Sequence, residues 1–107
     1  MIYTLDELRR KVSPVAEKYR IPAVYLFGSY ARGEATERSD IDLIFRRKGS
    51  AVKGLGMGLL YEDLQDALQK KVDLITLESI ESPEERRRSP WFIHHVEQER
   101  VTLYERQ

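Results

Sequence analysis

The chain has 107 residues, no cysteine, and 18 basic against 18 acidic side chains, so its formal net charge is zero. This length fits one domain over residues 1–107, the lack of cysteine excludes a disulfide framework, and the balanced charge argues against binding nucleic acid through its phosphates. The charged N-terminal segment shows no secretory signal and no apolar run reaches the length of a membrane span, so we expect a cytoplasmic protein with no membrane segment.

The N-terminal segment predicts a helix that begins near Leu5. Thr4 and Glu7 match the capping box, in which each side chain accepts a hydrogen bond from the backbone N–H of the other residue. Apolar residues then recur at helical spacing, which predicts a buried stripe on one face of this helix. The stripe consists of Leu5, Leu8 and Val12.

Prolines are predicted to interrupt the helical segments. Ser13-Pro14 predicts a break, because serine is a good cap and proline favours a first helical turn, and a second short helix would then run through Tyr19. Pro22 ends this helical region. Ser82-Pro83 is expected to open a polar loop.

Strands are predicted by the apolar patterns of the chain. Residues 23–27, AVYLF, form a nearly continuous apolar run, typical of a central strand covered on both faces. Residues 41–45 follow an alternating pattern, which favours a strand with one face in the core. Further predicted strands are 72–77 and 101–105, and predicted helices cover 59–71 and begin at Pro90. Together these elements indicate an α/β (α+β) domain with a mixed sheet of about four strands flanked by helices.

Other conspicuous residues receive structural interpretations. The glycine-rich residues 49–58 are expected to form a flexible crossover, with a lid as the alternative. His94 and His95 make a poor zinc site, because adjacent residues of a helix face different ways and the chain has no further His or Cys. Trp91 and Phe92 are expected in the core, with a partner-binding patch as the alternative.

The strongest functional signal is a set of acidic residues in two of the predicted strands. Asp40 and Asp42 are two residues apart, so on a strand they point to the same face with Cα atoms about 7 Å apart. The tripeptide Asp-Leu-Ile occurs at 42–44 and again at 73–75. If the repeats mark neighbouring strands in similar register, Asp73 joins the other two carboxylates. Such a patch would splay apart, hold protons, or bind a divalent cation, and oxygen ligands of this kind suit Mg²⁺.

A Gly-Ser turn lies at the end of the strand over residues 23–27. Gly28 has no side chain, so another group can approach its backbone closely. Ser29 offers a hydroxyl at the start of a predicted short helix through Arg32, and free N–H groups at a helix start bind phosphate. A phosphate site opposite metal-binding carboxylates provides the groups that phosphoryl or nucleotidyl transfer requires.

These motifs resemble a known family. Gly28-Ser29, ten residues, then Asp40-Ile41-Asp42 is similar to the G-S-x10-D-x-D signature of the DNA polymerase β-like nucleotidyltransferases. The fuller string GSYARGEATERSDIDL resembles the minimal nucleotidyltransferases (MNT), small prokaryotic proteins often encoded beside a HEPN-domain partner. The resemblance covers essentially the whole chain and implies the nucleotidyltransferase fold.

The resemblance also implies ligands and roles for particular residues. ATP would be the donor and Mg²⁺, as two ions, the cofactor. Asp40 and Asp42 would hold the metals, and Asp73 would complete the second metal site or act as base for the incoming hydroxyl. The nucleotide phosphates would be bound by Gly28 and Ser29. Arg32 would either touch phosphate or brace the loop.

The function implied by the resemblance is transfer of AMP to a protein hydroxyl. The expected acceptor is a tyrosine of a HEPN ribonuclease toxin, which would make the chain an antitoxin. One alternative is nucleotidyl transfer to a small molecule such as an aminoglycoside, although the chain has few residues to spare for a drug site. Another is a binding module that neutralises a HEPN partner by contact alone.

Overall fold

A four-stranded mixed sheet organises residues 1–106, which are the residues that the computed structural model describes. In chain order the elements are α1 (Leu5–Lys18), β1 (Ala23–Phe27), α2 (Gly28–Ala31), β2 (Ile41–Phe45), α3 (Gly56–Leu68), β3 (Val72–Thr76), α4 (Leu77–Glu81), α5 (Pro83–Arg88), α6 (Pro90–Glu99) and β4 (Val101–Glu105). The strand order is β3-β2-β1-β4. Strand β1 is antiparallel to β2 and β4, whereas β2 and β3 are parallel. The predicted fold class is confirmed.

Alternate side chains of the strands enter two hydrophobic clusters, one on each face of the sheet. In the larger cluster, Leu26 of β1 and Leu43 of β2 pack with the buried stripes of α1 and α3. These stripes are Leu8, Val12 and Ala16, and Leu60, Leu64 and Leu68. In the smaller cluster, Ile44 packs with α4 and α6 through Leu77, Ile80, Ile93 and Val96. Central strand β1 is therefore covered on both faces, as its apolar run predicts.

Most predicted strand boundaries agree with the structure, and the differences have local causes. The third strand ends at Thr76, because the Thr76 side chain accepts the N–H of Ser79 and caps α4. Helix α3 begins at Gly56, so residues 56–58 of the expected flexible crossover are helical. The same helix ends at Leu68, since Gln69 adopts a left-handed conformation at φ 53°.

The break expected at Ser13-Pro14 does not occur, and α1 runs through both residues. The Ser13 hydroxyl donates to the carbonyl of Arg9 at 2.6 Å, within the helix. Val12 and Ala16 are buried on either side of the proline. Packing of this stripe against the sheet keeps the helix continuous despite the N–H that proline lacks.

The polar loop expected after Ser82 is also wrong, because Pro83–Arg88 forms helix α5. The Ser82 side chain accepts the N–H of Glu85, and Pro83 occupies the first turn. Acidic residues lie in the first turn and three arginines in the last, which complements the helix dipole. All of these signals for the start and end of a helix can be seen in the sequence, so the helix could have been predicted.

Two apolar side chains predicted to be buried are exposed: Leu5 is 38% exposed and Trp91 is 66% exposed. Tyr3 is buried beside the start of α1 instead, and its hydroxyl donates to the Leu68 carbonyl at 2.5 Å. Helix α6 faces the sheet through Ile93 and Val96, so Trp91 lies outside the buried face. Within residues 1–106, no helix is both long and apolar enough to cross a bilayer.

Replacing Pro14 by alanine should stabilise the protein. Proline inside a helix costs about 3 kcal/mol, part of which is offset because proline also restricts the unfolded chain. We expect the free energy of unfolding to rise by about 2 kcal/mol in urea denaturation. Arg10→Ala, at an exposed position of the same helix, is the matched control and should change little. A less stable Pro14→Ala variant would show that the proline ring itself contributes to packing.

Candidate active site

Parallel pairing of β2 and β3 places two acidic residues side by side. Asp42 and Asp73 are direct partners in the register, as are Leu43 and Leu74 one residue further along. Leu43 and Leu74 belong to the larger cluster, so the two aspartates lie on the opposite face of the sheet. The repeated Asp-Leu-Ile tripeptide therefore predicts the strand register correctly.

The surroundings of the Asp42 carboxyl disfavour its ionised form. Its pKa is raised to about 6, first by partial burial, then by the hydrogen bond and charge of Asp73, and then by the charge of Asp40. The guanidinium of Arg32 opposes these effects and lowers the pKa. Negative charge is thus concentrated at the start of β2, and a bound cation would reduce the repulsion there.

Asp40 lies at the edge of this pair. It precedes β2, and its carboxylate contacts the Lys71 ammonium at 3.7 Å. Lys71 precedes β3 in the same way, and its carbonyl accepts the N–H of Ile41 at 3.0 Å. In residues 1–106 no three His, Cys, Asp or Glu side chains are grouped closely enough to hold a metal ion together. The structure therefore contains an Asp42–Asp73 pair with Asp40 nearby in an ion pair.

Gly28 lies against the Asp42 carboxylate, at the junction of β1 and α2. Its φ is +77°, a conformation that disfavours L side chains. A Cβ atom at this position would overlap Asp42 Oδ2. Glycine is therefore required here both by its conformation and by the close approach of the carboxylate.

The other two predicted binding residues lie on or next to α2. Ser29 is half-buried in the first turn. The Arg32 Nε lies 2.8 Å from Glu34, and its guanidinium lies 3.9 Å from Glu99 at the end of α6. These contacts are of the kind expected for the loop-bracing role, and the predicted contact of Arg32 with phosphate stays a prediction.

Sequence reasoning missed three charged residues that contact the predicted site residues, namely Glu34, Lys71 and Glu99. A signal for Lys71 exists, because it precedes Asp73 by two residues just as Asp40 precedes Asp42. Parallel register then places Lys71 beside Asp40. The contact of Glu99 depends on how α6 packs, which sequence spacing does not give.

A mixed sheet that carries paired carboxylates beside a Gly-Ser turn is the arrangement expected from the resemblance to nucleotidyltransferases. The family profile described as polymerase beta, nucleotidyltransferase, matches residues 10–107. The chain belongs to this family.

Within this family, the chain is similar to proteins named as protein adenylyltransferases. The chain is 43% identical over 77 residues to a candidate protein adenylyltransferase of Methanocaldococcus jannaschii, covering 71% of this chain and 77% of the relative. It is 37% identical over 85 residues to the protein adenylyltransferase MntA of Thermococcus cleftensis, covering 74% and 83%.

Solved structures share the fold. A crystal structure of a toxin–antitoxin with AMP-PNP matches at 25% identity and a TM-score of 0.68, covering 92% of this chain and 74% of the other. A complex of the tri-AMPylated Shewanella oneidensis HEPN toxin with its MNT antitoxin matches at 22% identity and a TM-score of 0.63, covering 97% and 75%. The second match supports the fold alone. The predicted nucleotidyltransferase fold is confirmed.

Gly28→Ala and Gly33→Ala form a matched pair of variants. Both glycines have a positive φ, +77° and +74°, but a Cβ at Gly33 meets nothing within 4 Å. Strain alone should cost each variant about 1–2 kcal/mol of stability. Gly28→Ala should lose about 1–3 kcal/mol more through the overlap with Asp42, measured by urea denaturation. Equal losses in the two variants would contradict the close contact between Gly28 and Asp42.

The raised pKa of Asp42 predicts a pH dependence of stability. An unfolded aspartate ionises near pH 3.8, whereas folded Asp42 keeps its proton to about pH 6, so between these values the folded state binds more protons. The contribution of Asp42 to the free energy of unfolding therefore falls as the pH rises through this window. Asp42→Asn removes this fall and should be more stable than wild type at neutral pH, in urea denaturation without divalent cations.

Asp66→Asn is the control for this experiment, because Asp66 is exposed on α3. It should keep the wild-type pH profile, so the difference between the two variants isolates Asp42 from the other carboxylates. If Asp42→Asn is less stable than wild type at neutral pH, the Asp42–Asp73 contact is not repulsive.

Proposed function

We propose that this chain transfers AMP from ATP to a protein hydroxyl and acts as the antitoxin of a HEPN ribonuclease toxin. The observation that carries the proposal is the Asp42–Asp73 pair held against Gly28. Support comes from the relatives named as protein adenylyltransferases and from the toxin–antitoxin structure with AMP-PNP. We propose that residues 1–107 act as one domain and work in the cytoplasm, where ATP is available.

The donor phosphates are assigned to the Gly28-Ser29 turn. Gly28 has no side chain, so its backbone lies directly against the Asp42 carboxylate. Ser29 is half-buried in the same short turn of helix, and its hydroxyl can donate to a phosphate oxygen. In this arrangement the β- and γ-phosphates lie on the β1 side of Asp42, and the α-phosphorus lies near the two carboxylates.

The carboxylates fit a divalent cation. Burial and the neighbouring charges of Asp73 and Asp40 disfavour the ionised form of Asp42, and a cation would reverse that effect. Carboxylate oxygens together with substrate phosphates are the ligands that Mg²⁺ prefers. We assign the ligands of two ions to Asp40, Asp42 and Asp73 together, and no single ion would contact all three carboxylates as they stand. When bound, Mg²⁺ neutralises phosphate charge and lowers the pKa of the acceptor hydroxyl.

Asp73 would complete the second metal site or, as its alternative role, act as the base for the acceptor hydroxyl. A tyrosine hydroxyl has an unperturbed pKa near 10, so it needs a group to take its proton. The hydroxyl oxygen attacks the α-phosphorus, the bond to the β-phosphate oxygen breaks, pyrophosphate leaves, and the proton passes to Asp73. Asp73 lies on the far side of Asp42 from Gly28, which suits in-line displacement.

Asp42→Asn should abolish AMP transfer. The variant keeps the size of the side chain but removes a charge on which the metal and phosphate site depends. The wild-type chain, incubated with a HEPN partner, ATP and Mg²⁺, should add AMP units to the partner in intact-mass spectrometry. The Asp42→Asn reaction should leave the partner unmodified, and Asp66→Asn should behave as wild type. Removal of Mg²⁺ by a chelator should stop transfer in the wild-type and Asp66→Asn reactions.

The same variants separate catalysis from neutralisation by contact. If Asp42→Asn protects cells from the toxin as well as wild type does, transfer of AMP is not the antidote. If wild type modifies no protein but modifies an aminoglycoside, the acceptor class is wrong.

A further inference from the structure

A cavity of about 250 Å³ opens directly beside the carboxylate pair. Its walls are apolar except at one end, where the two aspartates lie. The residues that matter here are Phe27, Asp42, Ile44, Asp73, Ile75 and Phe92. The rings of Phe27 and Phe92 meet edge to face, 6.0 Å apart, and fix one wall.

The position of this cavity favours the acceptor over the donor. Across the sheet, Phe27 and Gly28 lie on the β1 side of Asp42, and Asp73 lies on the β3 side. Since the pyrophosphate leaves toward Gly28 in the proposed reaction, the attacking oxygen comes from the β3 side. β3 is an edge strand and its Ile75 is 40% exposed, so a side chain from another protein can enter there.

Size and polarity indicate what enters. Pockets that enclose a whole ligand usually measure about 300–1,000 Å³, so this cavity accommodates a part of a substrate, such as one ring. Aromatic and aliphatic walls favour a flat apolar group. The aspartates at one end accept a hydrogen bond from a hydroxyl on that group.

We infer that this cavity binds the phenol ring of the acceptor, and that Ile75 and Phe92 select tyrosine over serine and threonine. The inference rests on the proposed function and specifies its acceptor site within this chain. A tyrosine ring contacts Ile44, Ile75 and Phe92 while its hydroxyl points to Asp73. An aliphatic hydroxyl can reach the same carboxylates but leaves the apolar walls uncovered, so it binds more weakly.

Isoleucine methyl groups report directly on binding in this cavity. In wild-type protein with labelled Ile methyls, a Gly-Tyr-Gly peptide should shift the NMR signals of Ile44 and Ile75. Ile21, in the larger cluster, serves as an internal control and should not shift. A Gly-Ser-Gly peptide should leave all three signals in place. No shift with the tyrosine peptide, or equal shifts with both peptides, would overturn the inference.

The alternative occupant of the cavity is the adenine ring of ATP, and AMP-PNP with Mg²⁺ tests this alternative. Bound together with the tyrosine peptide, the nucleotide should leave the shifts of Ile44 and Ile75 in place. If it displaces the peptide, the cavity binds adenine and the inference is wrong. These outcomes do not depend on turnover, so a chain that binds tyrosine but transfers no AMP would refute the proposed function and leave the ring site standing.

Steady-state kinetics with a tyrosine acceptor provide the second test. Phe92→Ala should raise the KM for the acceptor about tenfold and leave the KM for ATP unchanged. Trp91→Ala is the matched control, because Trp91 is the exposed neighbour and does not line the cavity. A rise in the KM for ATP, or equal use of serine and tyrosine acceptors by wild type, would contradict the assignment.

Discussion

The rest of the site depends on one constraint. Parallel pairing of β2 and β3 holds two carboxylates of like charge side by side. Asp42 and Asp73 cannot separate while the strands stay in register. That register is fixed from the other face, where their neighbours Leu43 and Leu74 enter the larger hydrophobic cluster. A slip of either strand by one residue would turn the aspartate of that strand into the core. The core therefore holds the carboxylates together against their repulsion.

The remaining parts of the site lie close to Asp42 and Asp73, on the same face of the sheet. Gly28 allows β1 to end against Asp42 without a side chain between them. Arg32 and Glu99 connect the following loop to the end of α6, and Phe92 of α6 covers the sheet beside the carboxylates. Stability thus comes mainly from the face packed by α1 and α3, whereas the opposite face carries the polar chemistry.

Much of this arrangement could be predicted, because it follows from short-range patterns. Alternation within 41–45 and the apolar run 23–27 give the strands, and the repeated Asp-Leu-Ile gives the register between β2 and β3. Pro14 misleads because tertiary packing outweighs its local effect. The exposure of Trp91 and the contact of Arg32 with Glu99 depend on the orientation of α6. No local pattern in the sequence contains that information.

The central claim is that the strain on Asp42 is relieved by a metal-bound nucleotide, and carboxyl NMR tests it most directly. Without ligand, the Asp42 carboxyl should titrate with a pKa of about 6. With Mg²⁺ and AMP-PNP, its pKa should fall below the ordinary value for aspartate. A carboxyl that titrates normally without ligand, or whose pKa Mg²⁺ and AMP-PNP leave unchanged, would contradict the account.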